Sequence, residues 1–310
     1  MTTLNSQHWQ RDSAEVPVVT PVAPSLDDVA KAVPADVDLI RTRIRARSGF
    51  AGIDWNELYR NRDLFRFLVQ REIKVRYAQS AIGIGWAILQ PLFTMIVFTV
   101  IFGRLANVDS DGVPYALFSF IALVPWMYYA NAITDGVNNL IVNSPMLSKV
   151  YFPRLLMPLA SNAARLIDFA VASVVLIGLM SWYGTAPNLG VLLIPWLMIV
   201  MVMSAAGTTF WLATFAIQFR DVKHAMGFVV QILMYAAPVV YPASLIPDAY
   251  RFWYSINPMV AVVEGMRCGL VGSVDMPWMT IVVGSCSAML LFFSGMLYFN
   301  HKERQFADVA

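Results

Sequence analysis

The chain has 310 residues, of which 58% are hydrophobic and only 14% charged, with a net charge of +2 and a mean hydropathy of +0.60. Soluble domains carry about a quarter charged residues, so this composition excludes an ordinary water-soluble fold and marks an all-α integral membrane protein. The near-neutral total hides an asymmetry: twelve of the 22 Lys and Arg residues precede residue 77, which by the positive-inside rule places the N-terminus in the cytoplasm.

Residues 1–50 mix Pro, Val, Ala and Asp without helical periodicity and end near "RTRIRAR". They read as a disordered cytoplasmic tail, with a lipid-docking arm as the alternative. No apolar run of signal-peptide length occurs there, so the first span is expected to be the targeting element.

Residues 51–80 form an interface-helix region. From Asp63 to Tyr77 the polar residues Asp63, Arg66, Gln70 and Lys74 recur at helical spacing, and Phe65, Leu68, Val69 and Ile73 gather opposite them. This is the pattern of an amphipathic helix lying in the headgroup plane. "AIGIGW" follows, two glycines where the chain must turn into the bilayer and a Trp at interface depth. Arg71, Lys74 and Arg76 are either an electrostatic anchor or a port for an anionic headgroup.

Residues 81–300 hold six predicted spans, at 85–104, 114–134, 157–182, 190–217, 225–246 and 276–299, each near the roughly 20 residues a bilayer core requires. The turn cluster "YGTAPNLG" at 183–190 divides the third from the fourth. Eighteen Lys and Arg fall on inner segments against three on outer ones, Arg165 lying within a span, so both termini are expected inside. Residues 301–310 are then a cytoplasmic C-terminal tail.

Between spans five and six, residues 247–275 are too charged for a further span and carry a mid-run Asn-Pro. A pair of short re-entrant helices in the outer leaflet fits them. In the inner segment 136–156, Asn143 and Ser144 can cap a short helix, Pro145 suits its first turn and Pro153 ends it. The loop "QFRDVKHAM" at 218–226 is a smaller inner element.

Within the spans, Arg165 and Asp168 share one helix face, as do Glu264 and Arg267 in the outer segment. Each pair is open to two readings: pairing for solvation at depth, or a functional role, in cargo contact for the first and in a gate for the second. Cys268 and Cys286 are too few for a disulfide framework, and no cysteine-based metal site is expected. With three scattered histidines, His8, His224 and His301, and few intramembrane acids, the residues argue against a membrane enzyme. An ion-coupled transporter would show inverted repeats, which are not evident.

Six stretches carry a resemblance: "REIKVRYAQSAIGIGWAILQPLFTMIVFTVIFGRLANV" (71–108), "PYALFSFIALVPWMYY" (114–129), "SKVYFPRLLMPLA" (148–160), "FRDVKHAMGFVVQILMYAAPVVYP" (219–242), "NPMVAVVEGMR" (257–267) and "ERQFADVA" (303–310). In this order they resemble the permease subunit of bacterial ABC exporters for polysaccharide, O-antigen and teichoic acid. The resemblance implies a six-span protomer in the inner membrane, a homodimer, and two copies of a separate ABC ATPase subunit. It implies an undecaprenyl-diphosphate-linked polysaccharide such as O-antigen as cargo. Teichoic acid, capsule or another lipid or small-molecule cargo is the alternative. The phosphate loop G-x-x-x-x-G-K-[ST] is absent from the sequence, so ATP and Mg are expected on the partner and no cofactor on this chain. Membrane lipids are partners and nucleic acid is not.

The same resemblance makes the 144–154 element a coupling helix, with Met146, Leu147, Lys149, Tyr151 and Phe152 as ATPase contacts. Packing on the bilayer surface is the alternative for its apolar members. It favours the headgroup port at Arg71, Lys74 and Arg76. A polymer rich in hydroxyls needs aromatic faces to slide on, for which Trp126, Tyr128 and Tyr129 on the second span and Tyr235 and Tyr241 on the fifth are the expected lining.

Overall fold

The computed structural model describes residues 55–78, 80–143, 152–219, 221–272 and 275–302, all within one compact unit, Ser48–Ala310. The inner element at 144–151, with Met146, Leu147, Lys149 and Tyr151, lies outside the described residues, as do the N-terminal segment and residues 303–310. Among the described residues the regular structure is entirely helical.

A short helix α1 (Trp55–Arg60) leads into α2 (Arg62–Tyr77), the expected amphipathic helix. Leu68 is its buried anchor, seated on Leu156 and Ala160 with Leu64, Phe65 and Val69 beside it. Phe67 and Val75 remain exposed. The turn out of α2 uses Gly83 at φ +55°, a left-handed conformation that a Cβ would strain. The Gly83 N–H donates to Ser80 Oγ at 3.0 Å, fixing the corner from which α3 (Trp86–Phe98) departs.

Among the described residues, five helical segments are long and apolar enough to cross a membrane: Gly83–Leu105, Tyr115–Val142, Leu156–Trp182, Leu189–Gln218 and Trp278–Lys302. The first is α3 continued as a π-helical stretch, Thr99–Leu105. The others contain α4 (Tyr115–Val142), α5 (Leu156–Trp182), α6 (Ile194–Gln218) and, last in the chain, α10 (Trp278–Lys302). Helix α4 is the centre of the bundle, with 78% of its most apolar window buried, against 6% for the first segment. The α6–α10 contact is close because it is built on glycine. A Cβ on Gly207 would lie 2.7 Å from Phe292 N, and one on Gly295 would lie 2.7 Å from Gly207 O, the small-residue packing that brings membrane helices together.

The predicted fifth span, 225–246, is not one continuous helix. Helix α7 (Asp221–Tyr235) ends after 15 residues, because Pro238 lacks an N–H and its ring opposes the carbonyl four residues back. The chain then runs without helix to Ala243, and α8 (Asp248–Ser255) and α9 (Pro258–Val271) follow as the expected pair of short helices. Asn257 caps α9 by accepting from Met259 N–H at 3.1 Å.

Unwound backbone in an apolar segment must have its polar groups satisfied by protein, and here side chains do so carbonyl by carbonyl. Tyr241 Oη donates to Tyr235 O at 2.9 Å and Asn257 Nδ2 to Ala236 O at 3.1 Å. Arg267 donates to Val239 O at 3.1 Å and Tyr241 O at 3.4 Å, and Tyr115 Oη to Val240 O at 2.7 Å.

Candidate functional site

Where α2 meets the bundle, four charges from three helices form one network. Arg76, in the last turn of α2, donates to Asp135 of α4 at 2.9 Å and to Asp168 of α5 at 3.4 Å. Arg165 of α5 donates to the same two carboxylates, at 2.6 Å to Asp135 and 2.8 Å to Asp168. Tyr77 Oη completes the cluster by donating to Asp168. Burial and the neighbouring Asp168 carboxylate push the Tyr77 phenol up to about 12, so it stays protonated and a donor. Two cations against two anions leave the network neutral, which is how charge is tolerated at depth.

This settles the form in which Arg165 and Asp168 are paired: they are satisfied together, with Arg76 and Asp135 as further partners. Asp135 and Tyr77 were not singled out from sequence. The signal for Asp135 was present, since an acid closing a long uncharged run needs a cation, and Arg165 was the cation without a partner across helices.

The three basic residues of α2 expected at a headgroup port therefore do different things. Arg76 points inward into the network. Arg71 donates to Asn143 Oδ1 at 2.7 Å, tying α2 to the end of α4. Lys74 is exposed. Burial raises the carboxyl of Glu72, beside them, above its ordinary range, with Arg71 and Arg76 opposing the shift.

A cavity of about 180 Å³ opens beside the network, between the end of α2, the start of α3 and the facing sides of α4 and α5. Arg76, Tyr77, Arg165 and Asp168 form its charged wall. Trp86, Gln90, Tyr128, Asn131 and Phe169 form much of the remainder.

At the other end of the bundle, Arg267, buried, bonds the largely buried Glu264 at 2.9 Å, and its guanidinium lies 3.6 Å from the Phe118 ring centre. With its two backbone carbonyls, Arg267 is a staple for the unwound 236–242 segment as well as an ion-pair partner. Tyr254 Oη donates to Tyr241 Oη at 3.1 Å on the same side.

Among the expected path-lining aromatics, Trp126 and Tyr129 are buried within the helix packing of one chain, Tyr129 bonded to Thr208 Oγ1 at 3.0 Å. As placed they are core residues. Tyr128 is buried too but borders the cavity. Tyr235 is half exposed and Tyr241 partly so. Phe152, expected as an ATPase contact, is 7% exposed and packs in the core; its apolar ring finds more to bury against inside the bundle than on its surface.

The chain matches the family described as ABC-2 type transporter over residues 63–271. It is similar to an O-antigen export system permease protein of Myxococcus xanthus, 30% identical over 213 residues that cover 68% of this chain and 81% of the relative. A Klebsiella pneumoniae protein of the same description is 26% identical over 249 residues, covering 80% and 95%. The polysialic acid transport protein of Escherichia coli is 24% identical over 207 residues, covering 64% and 78%.

Proposed function

The chain belongs to the ABC-2 type transporter family, and from that premise we propose that it is the membrane subunit of an ATP-driven polysaccharide exporter. Its work is conduction, and hydrolysis belongs to a separate ABC ATPase that carries ATP and Mg. The cargo is a polysaccharide on an undecaprenyl-diphosphate carrier, with O-antigen the leading case. The observation that carries the cargo reading is the similarity, over about two thirds or more of the chain, to two proteins named for O-antigen export.

Two protomers related by a two-fold axis form the conduit in the inner membrane. The exposed apolar side of the first segment, with Phe93, Ile96, Val97 and Val100, leaves room for a second copy as well as for lipid. Both termini lie in the cytoplasm, which requires an even number of crossings. Helix α7, about 22 Å long at 1.5 Å per residue, falls short of a bilayer core of roughly 30 Å; with residues 236–242 it makes the sixth crossing. Helices α8 and α9 then dip into the outer leaflet.

Lys74 and Arg71 at the membrane surface attract the carrier's diphosphate, each basic residue contributing about 1 kcal/mol there. Arg76 links the helix that meets the cargo to α4 and α5, and the inner element at 144–154 receives the push of the ATPase. Tyr235 and Tyr241 border the path of the polymer, and the Glu264–Arg267 pair closes its outer end.

Deleting the chain in the producing cell tests this. The expected result is loss of surface polysaccharide, accumulation of carrier-linked polymer inside, and co-purification of the restored chain with an ATPase. Normal surface polysaccharide in the deletion strain would overturn it.

A further inference from the structure

The cavity beside α2 is lined in part by hydrogen-bonding groups that the described residues leave unused. Its charged wall is already committed: both guanidiniums are bonded to Asp135 and Asp168, and Tyr77 donates to Asp168. A phosphate entering there would have to displace a carboxylate from each arginine. The carboxamides of Gln90 and Asn131 also line the cavity, and neither has a hydrogen-bond partner among the described residues. Gln90 is exposed and Asn131 partly buried, so both amides are accessible to a ligand in the cavity. The exposed Trp86 indole adds an aromatic face and an N–H without a partner among the described residues, and Tyr128 and Phe169 bound the space further in.

The chemistry left over is neutral: two amides able to donate and accept, and aromatic surface. That combination suits a ring with hydroxyls at its edge and C–H groups on its face. The volume of about 180 Å³, at roughly 30 Å³ per water, holds about six waters. That is about the space of one sugar ring, and the cavity is open on one side, so the rest of a carrier-linked chain can extend out of it.

We propose that this cavity binds a single neutral sugar ring, the first sugar on the carrier, stacked on Trp86 and hydrogen-bonded by Gln90 and Asn131. The inference rests on the carrier-linked cargo of the proposed function and adds a recognition step to it. The helix bearing Lys74 at the surface also supplies Arg76 and Tyr77 to the cavity, so diphosphate and sugar are read within one turn of each other. A bare carrier fills only the first of these sites.

The test uses the purified permease–ATPase complex in lipid nanodiscs. ATPase stimulation is titrated with undecaprenyl diphosphate and with the same lipid bearing one N-acetylhexosamine. The glycosylated carrier is expected to act at about tenfold lower concentration, the effect of two hydrogen bonds. Gln90→Leu with Asn131→Leu brings that ratio close to one. Should the double variant melt early, Gln90→Met alone, at an exposed position, lowers the ratio about threefold. Equal potency of the two carriers in the native complex, or a ratio the variants leave unaltered, overturns the site while leaving the export function standing. Stimulation by neither carrier overturns both.

Discussion

Arg76 and Asp135, fifty-nine residues apart in the chain, meet at 2.9 Å and thereby fasten the amphipathic helix α2 to the central helix of the bundle. Asp135 is bonded at 2.6 Å to Arg165 and at 2.9 Å to Arg76, whereas Arg76 is held at 2.9 and 3.4 Å.

Asp135→Ala should lower stability by about 2–4 kcal/mol, since breaking a buried pair leaves uncompensated charge; partial exposure of these side chains keeps it off the top of that range. Arg76→Ala should cost less, because the bonds it removes, at 2.9 and 3.4 Å, are longer than the 2.6 and 2.9 Å bonds of Asp135. A double-mutant cycle on melting in detergent should give a coupling of about 1–3 kcal/mol between Arg76 and Asp135. Simple additivity would deny the latch.

The outer pair should respond unequally. Glu264→Gln removes one partner of Arg267, whereas Arg267→Met also releases the carbonyls of Val239 and Tyr241 and the contact with Phe118. Arg267→Met should lower the melting temperature by about 5–10 °C and Glu264→Gln by clearly less. Limited proteolysis should find new cleavage near residues 236–242 only in the first. If Glu264→Gln leaves both export rate and resting leak unchanged, the pair is not a gate.

Glycine substitutions separate close packing from open space. Gly207→Ala and Gly295→Ala place a Cβ against backbone atoms of the partner helix and should each cost about 1–3 kcal/mol. Gly178→Ala meets nothing within 4 Å and should be neutral or stabilising by up to about 1 kcal/mol, as alanine is the better helix former.

Glu72 gives a pH dependence of defined sign. Its folded-state pKa lies above the ordinary 4.5, chiefly through burial. A raised carboxyl pKa contributes stability that is complete below the unfolded value and is lost as pH rises through the folded one. Glu72→Gln, a permanent mimic of the protonated form, should therefore melt no lower than the native protein at neutral pH. Its advantage should shrink on acidification and vanish well below pH 4.5; an unaltered difference across that range would contradict the assignment.

Helix α2 and five of the six predicted spans were legible because each has a strong periodic or compositional signal: Leu68 and its neighbours lie on the predicted apolar side and are the residues that pack. The fifth span misled because hydropathy counts apolar residues without regard to whether they are helical. Pro238 and Pro242 marked the interruption, but nothing local showed that Arg267, Asn257 and Tyr115 would satisfy the freed carbonyls. The ion network was half visible. Arg165 and Asp168 are three apart on one helix, while Arg76 and Asp135 join them through tertiary packing that periodicity does not encode. Aromatic residue type alone could not separate Trp126 and Tyr129, which fill the core, from Tyr235, which is exposed.

The central claim is tested most directly by transport in vesicles containing the purified permease and its ATPase, loaded with carrier-linked polysaccharide on the outer face only. With the ATPase face outward, added ATP should move the polymer into the lumen, beyond reach of an added glycosidase, and only when both proteins are present. Protection by the permease alone, or vigorous ATP hydrolysis by the complex with no polymer protected, would contradict it.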